Sequence, residues 1–339
     1  MKTKNILLTF DYELFLGSRS GSVLNSLIEP TNLLLKIISN LDIKCIFFID
    51  CAYLLKLDEN KKNNDLIKND YQLIINQLKE LHLNGHYIYP HIHPHWLHAI
   101  YNDKLNEWDL TNTNNYSFDS LKQTQKEKIF STSLNLLNEI FNGDDNYKIE
   151  GYRAGGWCIQ PFNNFFPFFK KYGIYADFSV LPGSIADTDV WKFDFSNVSI
   201  NSKPYYFFDN ECEINNNGKF IEFPISSLKI KNNRLIDRVL NYFLWRTNIG
   251  KSFGDGVGVK VKNYRVTKPE EYVNQMCSLE NLTSSKLFLY KNFIKENNYM
   301  HFISHPKMIS NHNLYNFKKF LKYAVMNFQI NFDWKKYKF

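Results

Sequence analysis

KNILLTFDYE, residues 4–13, carries the reading of the fold: an apolar run from Lys4 to Phe10 stops at Asp11, and a second acid follows at Glu13. A helical period over Leu33–Leu41 and a second apolar run over Lys44–Ile49 come next, the opening of an alternation between buried strands and covering helices. Outward from there the rhythm continues. Tyr71, Ile74, Ile75, Leu78 and Leu81 share one face of a helix, and His86–His91 reads as a third strand. A long helix around Phe130, Leu134, Leu137 and Phe141 precedes a strand near Ile149–Tyr152. A helix over Pro161–Lys171 and a strand over Ile174–Asp177 follow. This is the pattern of a parallel α/β barrel wrapped in helices.

From about residue 183 to 219 the pattern is irregular and reads as an insertion, before a strand at Phe220–Phe223 stopped by Pro224. The part from about residue 231 reads as mainly helical. It has a helix through Ile236, Val239, Leu240 and Phe243, helical sequence over Pro269–Asn297, a last strand at Met300–Ser304 and a closing helix at Asn313–Phe328. The glycine-rich Gly250–Gly258 has neither a GK[ST] nor a strand-Gly-helix order, so it reads as a loop and not a phosphate cradle. With no repeat or clean linker, one domain over 1–339 is expected.

The chain has 339 residues, 44% of them apolar, enough for a large core. Five cysteines without a CxxC pair argue against a disulfide framework or a thiolate zinc module. The N-terminus lacks the apolar core and small-residue cleavage site of a signal peptide, and no apolar run reaches the roughly 18 residues of a membrane span. A cytoplasmic protein is expected. The net charge of +7 comes from lysines that read as scattered among asparagines, a solvated surface, and no nucleic-acid module accompanies it.

Six of nine histidines, His82, His86, His91, His93, His95 and His98, fall within residues 82–98. HIHPH sets three of them at i, i+2, i+4, and Pro94 rules out an uninterrupted helix there. An extended or turning segment would project His91, His93 and His95 toward one side, which suits a divalent metal. The plainer reading is a cluster of satisfied surface histidines. Asp11 and Glu13 lie where a barrel strand ends, the place where such folds build sites, and two carboxylates there can divide metal holding from proton transfer. Taken alone, the pair would read as capping or salt-bridged acids.

Together, and in this order, TFDYE, NGHYIYPHIHPH (84–95), GYRAGGW (151–157), YADFSV (175–180) and FISHP (302–306) resemble the motifs of the polysaccharide deacetylases, the NodB-like carbohydrate esterases. EFPIS (222–226) is similar to a branch associated with surface-polysaccharide biosynthesis. The resemblance spans about Leu7 to Pro306. It implies a distorted, incomplete (β/α)7 barrel and a hydrolase that removes an N-acetyl, or less often an O-acetyl, group from a carbohydrate with one divalent ion, zinc first and cobalt, nickel or iron otherwise. It makes Asp11 the general base and His305 the general acid. Arg153 would clamp Asp11, and Asp177 would hydrogen-bond His305. The metal ligands would be Glu13, His91 and His95, with His93 able to replace one of them. Tyr12 stands where the family has a second aspartate, so the division of roles between Asp11 and Glu13 stays open. Tyr12, Trp96 and Trp157 are candidate sugar contacts. The implied substrate is an acetylated amino sugar linked to a nucleotide or a lipid. Two alternatives stand beside it: a cyclic amide or imide hydrolase on the same fold, and a non-catalytic carbohydrate-binding relative.

Overall fold

The structure, a computed structural model, describes residues 3–231, 239, 242–244, 246–259 and 272–339. Seven strands run parallel: β1 (Thr3–Tyr12), β2 (Ile46–Asp50), β3 (Tyr87–Ile92), β4 (Gly151–Ala154), β5 (Ala176–Asp177), β6 (Phe220–Glu222) and β7 (Tyr299–Ser304). Their spatial order is β6-β5-β4-β3-β2-β1-β7. Two short strands, Tyr205–Phe207 antiparallel to β6 and Gln329–Asn331 parallel to β1, complete a nine-stranded sheet. No ladder joins β6 to β7. The gap is bridged by the Ser226 N–H donating to the His301 carbonyl at 3.3 Å, the His301 N–H to Ser226 Oγ at 2.9 Å, and the Tyr299 hydroxyl to the Pro224 carbonyl at 3.0 Å. The architecture is the distorted, incomplete (β/α)7 barrel that the motif resemblance implies.

Among the described residues, six longer helices, α1 (Glu29–Ile38), α2 (Cys51–Asn60), α3 (Asp65–Leu83), α4 (Gln123–Ile140), α5 (Leu287–Glu296) and α6 (Asn311–Asn327), form the outer layer with the short helix Phe166–Tyr172. Alternation along each strand sorts the side chains. Leu7, Ile46, Phe48, Tyr89, Ala176, Phe178, Phe223 and Tyr299 pack together inside the barrel against Trp334, while Ile6, Leu8, Phe10, Phe47, Ile49, Ile88, Tyr152 and Phe302 join the core under the helices. The inward row of β1 therefore continues through Thr9 and Asp11 to Glu13, and that of β3 through Tyr89 and His91 to His93.

The expected helix over Pro269–Asn297 is replaced in part. Tyr272–Met276 is a strand paired antiparallel with Ser227–Lys231, as its Tyr-Val start favours, and among the described residues of this range helix is confined to Leu287–Glu296. Ile236 and Leu240, in the helix expected around them, lie outside the described residues. The insertion holds a hairpin, Ile185–Asp187 with Lys192–Asp194. Among the described residues, no helix is long and apolar enough to cross a membrane.

Candidate metal and catalytic centre

Glu13, His91 and His93 meet at the carboxyl end of the barrel, all three buried, with one ligand atom from each lying within 4.8 Å of the others. Glu13 Oε2 is 2.8 Å from His93 Nε2 and 3.3 Å from His91 Nε2, yet it takes part in no hydrogen bond. A buried carboxylate oxygen facing two imidazole nitrogens without hydrogen-bond geometry is a cradle shaped for a cation, and a Glu/His/His set suits zinc and similar ions. The other His91 nitrogen, Nδ1, lies 2.8 Å from the Arg153 carbonyl, which takes its N–H and leaves Nε2 as the free donor atom for a metal.

The expected ligand His95 is not in this group. β3 is extended through Ile92, so side chains two apart share a face, and Pro94 then begins the one-turn 3₁₀ segment Pro94–His98 that carries His95 aside. The His95 ring stacks on Tyr116, centroids 4.6 Å apart, and neither of its nitrogens has a partner. Burial holds its pKa well below the ordinary value, aided by the charge of His93.

Asp11 stands beside the cradle. Arg153 Nη1 donates to Asp11 Oδ1 at 2.6 Å, Nη2 to Thr9 Oγ1 at 2.8 Å, and Nε to the Phe178 carbonyl at 2.9 Å, while the guanidinium lies 4.2 Å from the Phe48 ring centroid. His301 completes the clamp. Its Nδ1 lies 3.0 Å from the Phe223 carbonyl and its Nε2 3.1 Å from Arg153 Nη2, so a neutral ring with its proton on Nδ1 satisfies both. Burial and the Arg153 charge push the His301 pKa down to about 3, which agrees with that neutral state. Burial alone would raise the Asp11 pKa, but Arg153 and the nearby imidazoles outweigh it and hold it below the usual value. Asp11 is thus an oriented carboxylate held in its ionised form.

His305 Nε2 approaches Asp11 Oδ2 at 3.6 Å and Glu13 Oε1 at 3.7 Å from the far side. Its Nδ1 contacts not Asp177 but Glu280, with Oε1 at 3.2 Å. Asp177 cannot reach it, because in β5 it falls between Ala176 and Phe178, which face the barrel interior. Asp177 points outward, accepting from Ser179 Oγ at 2.8 Å and pairing in register with Glu222. Burial disfavours protonation of His305, but the Glu280 contact, Asp11 and Glu13 more than offset it and raise its pKa.

Lys307, immediately after the SHP motif, donates to Glu13 Oε1 at 2.8 Å and to the Leu14 carbonyl. Burial opposes ionisation of Glu13, yet Lys307 and the histidines hold its carboxyl well below the ordinary range. Glu280, His301 and Lys307 were not among the residues singled out from sequence. Adjacency to FISHP was a signal for Lys307, and inward register on the last strand for His301.

Of the expected sugar contacts, Trp157 lines the site cavity of about 560 Å³, together with Asp11, Glu13, His305 and Trp191 from the insertion. Gly156, at φ +59°, makes that wall possible, since a Cβ there would meet Tyr116 and Trp191 at 2.6 and 2.7 Å. Tyr12 and Trp96 are elsewhere. Tyr12 alternates outward from Asp11 and donates to Gln77 Oε1 at 2.6 Å, and Trp96 is fully buried, stacked on Tyr53 and bonded to Asp50.

Fold and site together define a helix-covered parallel barrel carrying a buried carboxylate–histidine centre at its carboxyl end. No protein-family model matches the chain, and no curated protein matches it in sequence. Among solved structures, it is similar to a Mycobacterium smegmatis protein assigned as a polysaccharide deacetylase, with 13% identity over 96% of this chain and 85% of that one and a TM-score of 0.48. It is also similar to PuuE allantoinase, with 11% identity over 97% and 86% and a TM-score of 0.47, and to 4-alpha-glucanotransferase from Thermococcus litoralis, with 11% identity over 98% and 39% and a TM-score of 0.43.

Proposed function

We propose that this protein is a metal-dependent hydrolase that removes the N-acetyl group of an amino sugar carried on a nucleotide or a lipid for surface-glycan synthesis. The observation that carries the reading is that Glu13, His91 and His93 converge beside an arginine-clamped Asp11, with His305 facing them across one cavity. Glu13, His91 and His93 would hold a divalent ion, zinc first and cobalt, nickel or iron otherwise. When bound, such an ion polarises an acyl carbonyl and makes water more acidic.

The remaining work falls to the chain. Asp11, ionised and fixed by Arg153, takes the proton of the attacking water. His305, its pKa raised by Glu280, gives a proton to the departing amine, which is otherwise a very poor leaving group. Trp157 and Trp191 offer flat walls to a sugar ring.

The test is acetate release from N-acetylated sugar nucleotides and lipid-linked sugars by metal-loaded protein, beside Asp11→Asn. Release by the wild type, abolished in a variant that keeps its metal, is the expected result. Glycan binding without release by any metal-loaded preparation would overturn the hydrolase in favour of a binding protein, and ring opening of a cyclic amide or imide would reassign the substrate.

A further inference from the structure

Glu13 and Lys307 meet because the sheet brings the ends of two strands together. β1 and β7 run parallel with Phe10 opposite Ser304, and Glu13 and Lys307 each stand three residues beyond that pair. Lys307 lies in the one-turn segment Pro306–Met308, directly after the SHP motif that carries His305. Both side chains line the catalytic cavity.

The two oxygens of Glu13 have different surroundings. Oε1 accepts from Lys307 Nζ at 2.8 Å, whereas Oε2 faces His93 Nε2 at 2.8 Å and His91 Nε2 at 3.3 Å without a hydrogen bond. Lys307 has little freedom to turn away. Its side chain is only 7% exposed, and its ammonium also donates to the Leu14 carbonyl. Its backbone is pinned as well. The Gly254 N–H donates to the Lys307 carbonyl at 3.0 Å, and a Cβ on Gly254 would meet that oxygen at 2.7 Å, so the loop packs directly against this turn. Lysines are almost never buried to this extent unless paired, and this one engages a single oxygen of a carboxylate whose other oxygen faces the two imidazoles.

A carboxylate can hold a metal ion through one oxygen or through both. Holding it through both, Glu13 with the two imidazoles would fill four positions around the ion. Through one oxygen the same side chains fill three, which leaves the open position that catalytic zinc sites keep for water or substrate. An ammonium fixed on Oε1 forbids the first arrangement and permits the second. We propose, on the reading of Glu13, His91 and His93 as metal ligands, that Lys307 is a positioning residue that restricts Glu13 to one donor oxygen, Oε2, and so keeps a coordination position open.

The test is a crystal structure of the full chain loaded with Zn2+, beside visible absorption spectra of the Co2+-loaded wild type, K307M and K307R. In the wild type, Oε2 is expected at a bonding distance of about 2.0–2.2 Å from the ion, with Oε1 still on Lys307. Both oxygens on the ion would overturn the proposal, and this arm needs no variant to fold. K307M is expected to keep the ion, to bind it through both oxygens and to change the Co2+ bands. K307R, which restores a cationic donor, should recover the wild-type bands. Identical bands in K307M and the wild type overturn the proposal and leave Lys307 as a counter-charge at an intact metal centre. A folded K307M that has lost the ion overturns it too, because Lys307 would then serve binding itself. A wild type that takes up neither metal overturns both the proposal and the metal-centre reading. Acetate release is read separately, and K307M should lower kcat by about 10- to 100-fold, the usual cost of removing a group that orients a metal ligand. A wild type with Glu13 on the ion through Oε2 alone that releases no acetate keeps the role of Lys307 and loses the deacetylase.

Discussion

Glu13 Oε2 lies 2.8 Å from His93 Nε2, and neither group hydrogen-bonds the other. In the proposed reading the two are ligands of one ion, and His93, two residues after His91, continues the inward row of β3. His93→Ala should therefore lose the divalent metal, while His95→Ala should keep it, because His95 stacks on Tyr116 and meets the His93 ring edge to face but adds no ligand atom to the group. Elemental analysis of the purified variants after identical reloading checks this. Metal lost on His95→Ala and kept on His93→Ala would put the ligand at His95, four residues after His91, after all.

Glu280 is the group that tunes His305, and its removal should show in the pH profile. Loss of the carboxylate lowers the His305 pKa, so the protonated acid disappears at a lower pH as the solution is made alkaline. In Glu280→Gln the alkaline limb of kcat/KM should move to lower pH, and Glu280→Asp should restore part of the shift. An unchanged limb with reduced kcat would mean that Glu280 only shapes the cavity.

Arg153 is fully buried and binds Asp11, Thr9 and the Phe178 carbonyl at once. Arg153→Met leaves Asp11 as a buried, unclamped carboxylate, and breaking one side of such a pair typically costs about 3–5 kcal/mol. Arg153→Lys keeps the charge but not the fork, so a smaller loss of stability with a large loss of turnover is expected. Denaturant unfolding of both variants at neutral pH, read beside kcat, checks the order. Equal stability of the two would show that charge alone, and not the fork, holds this corner of the barrel.

What the sequence disclosed and what it hid both follow from the alternation of strands. The stop at Asp11 and Glu13, the histidine run, Arg153 and His305 were legible because each ends an apolar run that can be read as a strand. The facing of individual residues was less legible. Tyr12 and Asp177 carry the right chemistry but alternate outward, a distinction that turns on a one-residue register in strands as short as Ala176–Asp177. Glu280 was hidden for another reason. It follows Tyr272–Met276, a stretch whose surroundings have helical composition but which is held as a strand by pairing with Ser227–Lys231, a partner more than forty residues away. No local pattern announces a pairing of that span.

His86 gives a test of the fold that is independent of the catalytic site. Its ring is mostly buried beside Phe47, and its Nδ1 accepts the Cys45 N–H at 3.2 Å, which ties the start of β2 to the start of β3. An acceptor Nδ1 requires a ring not protonated there, and burial, with Lys44 adding repulsion, pushes the pKa down to about 4 from the ordinary 6.5. Because the folded pKa is the lower one, the unfolded chain binds more protons between pH 6.5 and 4. The stabilisation is whole above pH 6.5 and drains away as the pH falls through that interval. Over the full shift it amounts to at most about 3 kcal/mol. His86→Asn keeps an acceptor for Cys45 without a titrating ring. In thermal or denaturant unfolding from pH 7 to pH 4, the wild type should lose stability relative to the variant, with the gap changing steadily over that interval. Parallel curves would show that His86 is already charged, or already solvated, in the folded protein.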